Sequence, residues 1–115
     1  MGLRGSTFAV LAGAGLGLAA LAASAQDAPD LDRGKAVYEQ WCAPCHAAGP
    51  GHPGTQSLQL KYNGQLPAVL LERTDLPAET IKTFVREGIL LMAPFRKTEI
   101  TDAELDDLAA YLTQK

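Results

Sequence analysis

Sulfur and histidine are scarce in this chain. Its 115 residues include two cysteines, two methionines, two histidines and one tryptophan. Two cysteines cannot complete a zinc site that needs a second pair. No strand–helix–strand pattern accompanies them, which argues against a thioredoxin-type redox centre. No glycine-rich phosphate loop is present, and no acid–base pair lies in a recognisable motif. Basic charge is also short. Ten Lys and Arg face thirteen Asp and Glu, giving a net charge of −3. That balance argues against nucleic acid and permits a protein partner with a basic docking patch. No internal repeat, low-complexity tract or linker is visible, and the length allows one small domain.

One long apolar run occurs, Phe8 to Ala23, behind the positive Arg4 and ahead of Ala23-Ser24-Ala25. It reads as a secretory signal peptide over residues 1–25, cut after Ala25, and it is short for a spanning helix. Residues 26–115 then form the exported domain, with no membrane span after cleavage. Loss of Arg4 makes that domain one unit more negative.

What sulfur there is concentrates at Cys42-Ala43-Pro44-Cys45-His46. Two thiols two residues apart, followed at once by histidine, read as a c-type haem attachment site. Each thiol adds to a haem vinyl group as a thioether, and the histidine supplies an axial nitrogen to the iron. A chain this short buries a modest core alone, and haem would serve as a large apolar core element. Met1 leaves with the leader, so Met92 is the thioether left for the second axial position. It sits in Ile89-Leu90-Leu91-Met92-Ala93-Pro94-Phe95, where Pro94 keeps the backbone out of a regular helix. A thioether ligand raises the reduction potential; the competing role is that of a core gap-filler. His52, the other histidine, lies in the loop after His46. It would have difficulty reaching the opposite haem face and reads as solvent-exposed. The second ring nitrogen of His46 calls for a carbonyl acceptor. Pro50 and Pro53 are the candidates, and Pro53 leaves more chain to turn back.

Periodicity places a first helix over 31–43, capped by Asp30 or Asp32, with Leu31, Gly34, Val37, Tyr38 and Trp41 on one face. Gly34 costs about 1 kcal/mol against alanine, which is easier to accept where another backbone passes close by. Residues 47–57 read as a turn-rich loop unable to form regular structure, and 58–65 as irregular or a short turn of helix. Pro67 opens a second helix over 67–73. A third runs from Pro77 to Glu87 and stops at Gly88. Its Ile81, Phe84 and Val85 face inward, with Lys82, Arg86 and Glu87 solvated. Thr101 and Glu104 form a capping box for the last helix. There Leu105, Leu108, Ala109 and Leu112 face inward with Tyr111 nearby, and Asp106 and Asp107 face solvent.

On these residues the chain resembles the class I cytochrome c family. The matching parts are Cys42 to His46, the Gly34 to Tyr38 spacing, Met92-Ala93-Pro94-Phe95 and the closing Leu108-Ala109-Ala110-Tyr111-Leu112. The resemblance implies an all-α fold of four or five short helices wrapped around one covalently bound haem c. Its first and last helices cross, with Gly34 and Tyr38 against Leu108 and Tyr111. It implies a periplasmic single-electron carrier rather than an enzyme, working with redox partner proteins. The rival reading is a haem-based gas sensor or peroxidase-like enzyme with a displaceable sixth ligand.

A narrower resemblance rests on Gly49 to Thr55, Arg73-Thr74-Asp75-Leu76 and Phe95 to Ile100. These segments look like cytochrome subunits or partners of flavoprotein dehydrogenases that oxidise para-substituted phenols, of the 4-cresol dehydrogenase and eugenol hydroxylase types. Arg96-Lys97 would then be a docking patch beside the methionine loop.

Overall fold

The computed structural model describes residues 28–114, together with Gly2; the expected leader falls, Gly2 apart, outside the described residues. Among the described residues every regular element is helical, and the one strand-like pairing is an isolated bridge between Ile89 and Met92. The all-α expectation holds. No helix among them is long and apolar enough to cross a membrane.

Helix α1 spans Leu31–Val37, and the Asp30 carboxylate caps it by accepting from the Arg33 amide at 3.0 Å. The chain then widens into one π-helical turn, Tyr38–Cys42, in which the Ala43 amide donates to the Tyr38 carbonyl. It tightens again into α2, Ala43–His46, with Pro44 in its first turn. The helix expected over 31–43 therefore continues to His46.

Two expectations need correction. Residues 53–57 are helix rather than loop, and 58–62 belong to a full helix rather than one short turn: α3 spans Pro53–Tyr62 and ends on Asn63, at φ +48, ahead of Gly64. Pro53 opens this helix, where its fixed φ helps and its lack of an amide hydrogen costs nothing. The helix expected over 67–73 shrinks to a single 3-10 turn, Leu70–Glu72, with Val69 and Arg73 extended on either side. Arg73 leaves helical geometry to meet Asp75 in a two-point pair at 2.6 and 2.7 Å. It also donates to the Tyr62 hydroxyl at 2.8 Å, with its guanidinium over that ring. These partners let a buried guanidinium remain charged.

Helix α4, Ala78–Glu87, follows Pro77 and stops at Gly88 as expected. Helix α5, Asp102–Thr113, carries the full capping box: Thr101 N–H donates to Glu104 and the Glu104 amide donates back to the Thr101 hydroxyl. Lys82 and Arg86 are half-buried rather than solvated. Lys82 pairs with Asp106 at 2.7 Å, and Arg86 donates to the Phe95 carbonyl at 3.2 Å and pairs with Asp102 at 2.9 Å.

Helix α1 crosses α5 more extensively than any other pair of elements meets. A β-carbon on Gly34 would stand 2.2 Å from the Asp107 carbonyl oxygen and 2.8 Å from Tyr111 Cβ, so only glycine permits the crossing. Tyr38 and Tyr111 meet with ring centroids 6.0 Å apart. Asp107 is not solvent-facing: it is 3% exposed, accepting from the Asp30 amide at 2.9 Å and from the Arg33 guanidinium. Val37, Tyr38, Cys42, Ile81, Val85, Ile100, Leu105, Leu108, Ala109 and Leu112 form one core cluster.

Candidate functional site

Cys42, Cys45 and His46 lie on one short stretch, from the end of the π-helical turn through α2. Both cysteines are free thiols, Cys42 buried and Cys45 exposed. Burial is the main cause that pushes the Cys42 thiol up to about 12, with the neighbouring Cys45 adding to it. π-helical turns are rare, and those that occur are frequently at functional sites. Here one immediately precedes the two thiols.

His46 ends α2. Its ring is half-buried, and its Nδ1 is shut off from solvent with no hydrogen-bond partner. Burial lowers its pKa, favouring the neutral imidazole, the form that ligates a metal. The hydrogen bond to the Pro53 carbonyl anticipated from the sequence is not formed. Pro53 opens α3, and a carbonyl in that place is directed along its own helix. Gly54, the next residue, lies directly against the imidazole instead. His52 is half-buried rather than solvent-exposed, with Nδ1 3.1 Å from the Pro44 carbonyl. Thr55, fully buried, donates its hydroxyl to the Ala47 carbonyl at 2.9 Å.

Met92 closes a tight turn in which Ile89 and Met92 exchange backbone hydrogen bonds of 3.0 and 2.9 Å. Gly88, at φ +71, makes room for it: a β-carbon there would stand 2.6 Å from the Met92 carbonyl and 3.0 Å from the Pro94 ring. The tip of the turn is Leu90-Leu91, both side chains in solvent, with Leu90 at φ +53. Behind the turn, the Phe95 amide donates to the Val85 carbonyl at 2.8 Å. The Phe95 ring meets Trp41 edge-on at 5.8 Å. Met92, Trp41 and Phe95 pack, half-buried, on the core cluster that contains Cys42. The core thus links the cysteine motif and the methionine loop, segments fifty residues apart in sequence.

Two buried polar side-chain atoms among the described residues have no partner, His46 Nδ1 and Tyr38 Oη. Both belong to the helical stretch that carries the thiols. Two free thiols, a neutral imidazole and a thioether in a helical frame are a donor set that fits haem c. The docking patch expected at Arg96-Lys97 is paired within the chain, Arg96 with Glu99 at 3.1 Å and Lys97 with Asp102 at 2.7 Å. Gly54, Thr55 and the second role of Gly88 were not singled out from the sequence. The one signal for the first two was a proline placed to open a helix.

The frame is all-α with a cysteine–histidine motif compatible with haem c, and comparison with known proteins agrees. A family profile described as cytochrome c oxidase, cbb3-type, subunit III matches residues 29–112. Cytochrome c-555 of Prosthecochloris aestuarii is 34% identical over 88 residues, which cover 75% of this chain and 88% of that protein. No solved structure matches. The chain belongs to the cytochrome c family: it is a mono-haem c-type cytochrome, an electron carrier.

Proposed function

We propose that this cytochrome carries single electrons through one haem c attached at Cys42 and Cys45 and held between His46 and Met92. When bound, the haem supplies an iron that changes oxidation state by one electron. The chain's own residues do the rest. Cys42 and Cys45 fix the cofactor covalently. His46 presents a neutral nitrogen from a desolvated position. Met92 supplies the second ligand from a turn held by Gly88, Pro94 and the Phe95–Val85 hydrogen bond. With His46 and Met92 both holding the haem, no site would be left for substrate, which separates a carrier from a gas sensor or peroxidase-like enzyme. The observation that carries this reading is the conjunction, on one helical stretch, of two free thiols and an imidazole whose Nδ1 is buried and unpartnered.

Residues 1–25 act in this reading as a signal peptide, delivering residues 26–115 to the periplasm. The electron donor is a flavoprotein dehydrogenase acting on para-substituted phenols, and the acceptor is a component of the respiratory chain. The support for that donor is the sequence resemblance of the segments around Arg73 and Arg96.

Export with haem maturation tests the attachment. The mature chain begins at Gln26, carries one haem by mass, and keeps it through denaturation. Cys42→Ala and Cys45→Ala each leave a single thioether. A wild-type chain that released its haem on denaturation would overturn the attachment. Co-purification with a flavoprotein tests the donor, and a cytochrome reduced at equal rates by unrelated dehydrogenases would remove the case for it.

A further inference from the structure

The backbone hydrogen bonds within residues 89–92 join Ile89 and Met92 to each other, at 3.0 and 2.9 Å. They keep the shape of the methionine turn but do not fix where it stands. Its tip adds little hold, since Leu90 and Leu91 stand in solvent. Gly88, the cap of α4, fixes the near end. Among the described residues, the first hydrogen bonds from the far end to another element come at Phe95, three residues past Met92.

Phe95 is held on three sides. Its amide donates to the Val85 carbonyl at 2.8 Å. Its carbonyl accepts from Arg86 Nη1 at 3.2 Å, while Arg86 Nη2 pairs with Asp102 at 2.9 Å. One planar guanidinium thus ties the methionine segment to the first turn of α5. On the third side the Phe95 ring meets Trp41 edge-on, with centroids 5.8 Å apart and planes at 71°. Trp41 lies in the π-helical turn and immediately precedes Cys42. The ring contact therefore joins the cysteine stretch directly to the methionine segment. Both rings are half-buried against the core cluster.

We propose that Trp41 and Arg86 are positioning residues for Met92, acting through Phe95 to hold the methionine turn against the cysteine stretch and so to set how readily an outside ligand displaces the thioether. This rests on the reading of Met92 as the second axial ligand. The internal bonds of the turn keep residues 89–92 together, so displacement moves them as a unit. That movement pulls on Pro94 and strains the ties at Phe95. Trp41 resists it through the ring and Arg86 through the carbonyl.

The test titrates imidazole into ferric holoprotein of the wild type, Trp41→Leu, Trp41→Phe, Arg86→Met and Phe95→Leu. Loss of the weak red absorption band of methionine–iron ligation reads displacement, with the thermal midpoint alongside. Trp41→Leu is expected to bind imidazole up to about tenfold tighter than wild type, the most that an aromatic pair of this kind is worth in an equilibrium. Trp41→Phe, which keeps a ring, falls nearer wild type. Arg86→Met, which takes the donor from the Phe95 carbonyl, shifts the affinity in the same direction as Trp41→Leu. In a Phe95→Leu background Trp41→Leu adds little, because the ring it acts through is gone. Full additivity of those two substitutions would overturn the route through Phe95. A Trp41→Leu protein with a lower thermal midpoint but wild-type imidazole affinity would overturn the proposal and leave Trp41 as packing. If Trp41→Leu gives no holoprotein, Trp41→Phe and Arg86→Met decide. A wild type without the methionine–iron band overturns both the proposal and the ligand assignment. An intact band with unmoved variants overturns the proposal alone.

Discussion

Gly34 in α1 and Asp107 in α5 are in backbone contact: no side chain fits between the Gly34 α-carbon and the Asp107 carbonyl, which would lie 2.2 Å from a β-carbon. The same Asp107 turns its carboxylate back to cap the start of α1. Gly34→Ala is therefore expected to destabilise the protein despite the better helix propensity of alanine. The loss should reach the upper part of the about 1–3 kcal/mol range for overpacking, since the clash is with main chain. A denaturant midpoint on the holoprotein measures it. A midpoint equal to wild type would show that the helices separate freely.

Asp107 joins two segments far apart in sequence through the Asp30 amide and Arg33. Asp107→Ala strips the amide of its acceptor and should cost about 1.5–3 kcal/mol, the range for hydrogen bonds to charged groups. Arg33→Ala should cost less, because Arg33 is half-exposed and the Asp30 amide stays bonded. Equal losses from the two substitutions would contradict this ordering.

Acid should weaken the fold through four paired carboxylates. Arg73 holds Asp75 below its ordinary pKa, Arg96 does so for Glu99, and Lys97 then Arg86 do so for Asp102. The Thr101 backbone amide, with its hydroxyl, lowers Glu104. Each folded pKa lies below its unfolded value. The stabilisation is thus fully present above the ordinary carboxylate pKa of about 4 and is lost as pH falls through the folded values. Thermal midpoints followed from about pH 6 to about pH 3 should fall at the acid end, and Asp75→Asn should flatten that fall. An unchanged slope in Asp75→Asn would remove Asp75 from the set.

Leu90 occupies a left-handed conformation at the tip of the methionine turn, with its side chain in solvent. The strain there is about 1–2 kcal/mol, against about 0.5–1 kcal/mol of added chain freedom for glycine. Leu90→Gly should be neutral or stabilising, by up to about 1.5 kcal/mol. Leu91→Gly, next along and without a positive φ, should destabilise slightly. Thermal midpoints separate the two, and a large loss at Leu90 would mean its side chain makes a contact in the holoprotein.

Much of this was legible in the sequence because it is local. The cysteine motif, the capping box at Thr101 and Glu104, and the stop at Gly88 are each fixed by a few adjacent residues. The Gly34 crossing was also legible, since a glycine on an apolar helix face has few other uses. Three features were not, and each depends on a partner outside its own element. Residues 53–57 look like loop, yet they fold as helix where Pro53 can open α3 and Thr55 can bond to Ala47. Asp107 sits among apolar positions, but its neighbour across the crossing is Arg33 rather than water. In the 67–73 stretch, Arg73 takes an extended backbone and bonds to Tyr62 and Asp75 instead of continuing a helix.

The most direct measurement compares the ferric optical spectrum and reduction potential of the wild type with those of Met92→Ala. Methionine ligation predicts a low-spin wild type with a weak methionine-to-iron absorption band at the red end of the spectrum. In Met92→Ala that band disappears and the potential falls. A high-spin wild type, or a variant with the band and potential unchanged, would contradict the His46–Met92 pair and with it the reading of this cytochrome as a carrier with a closed iron site.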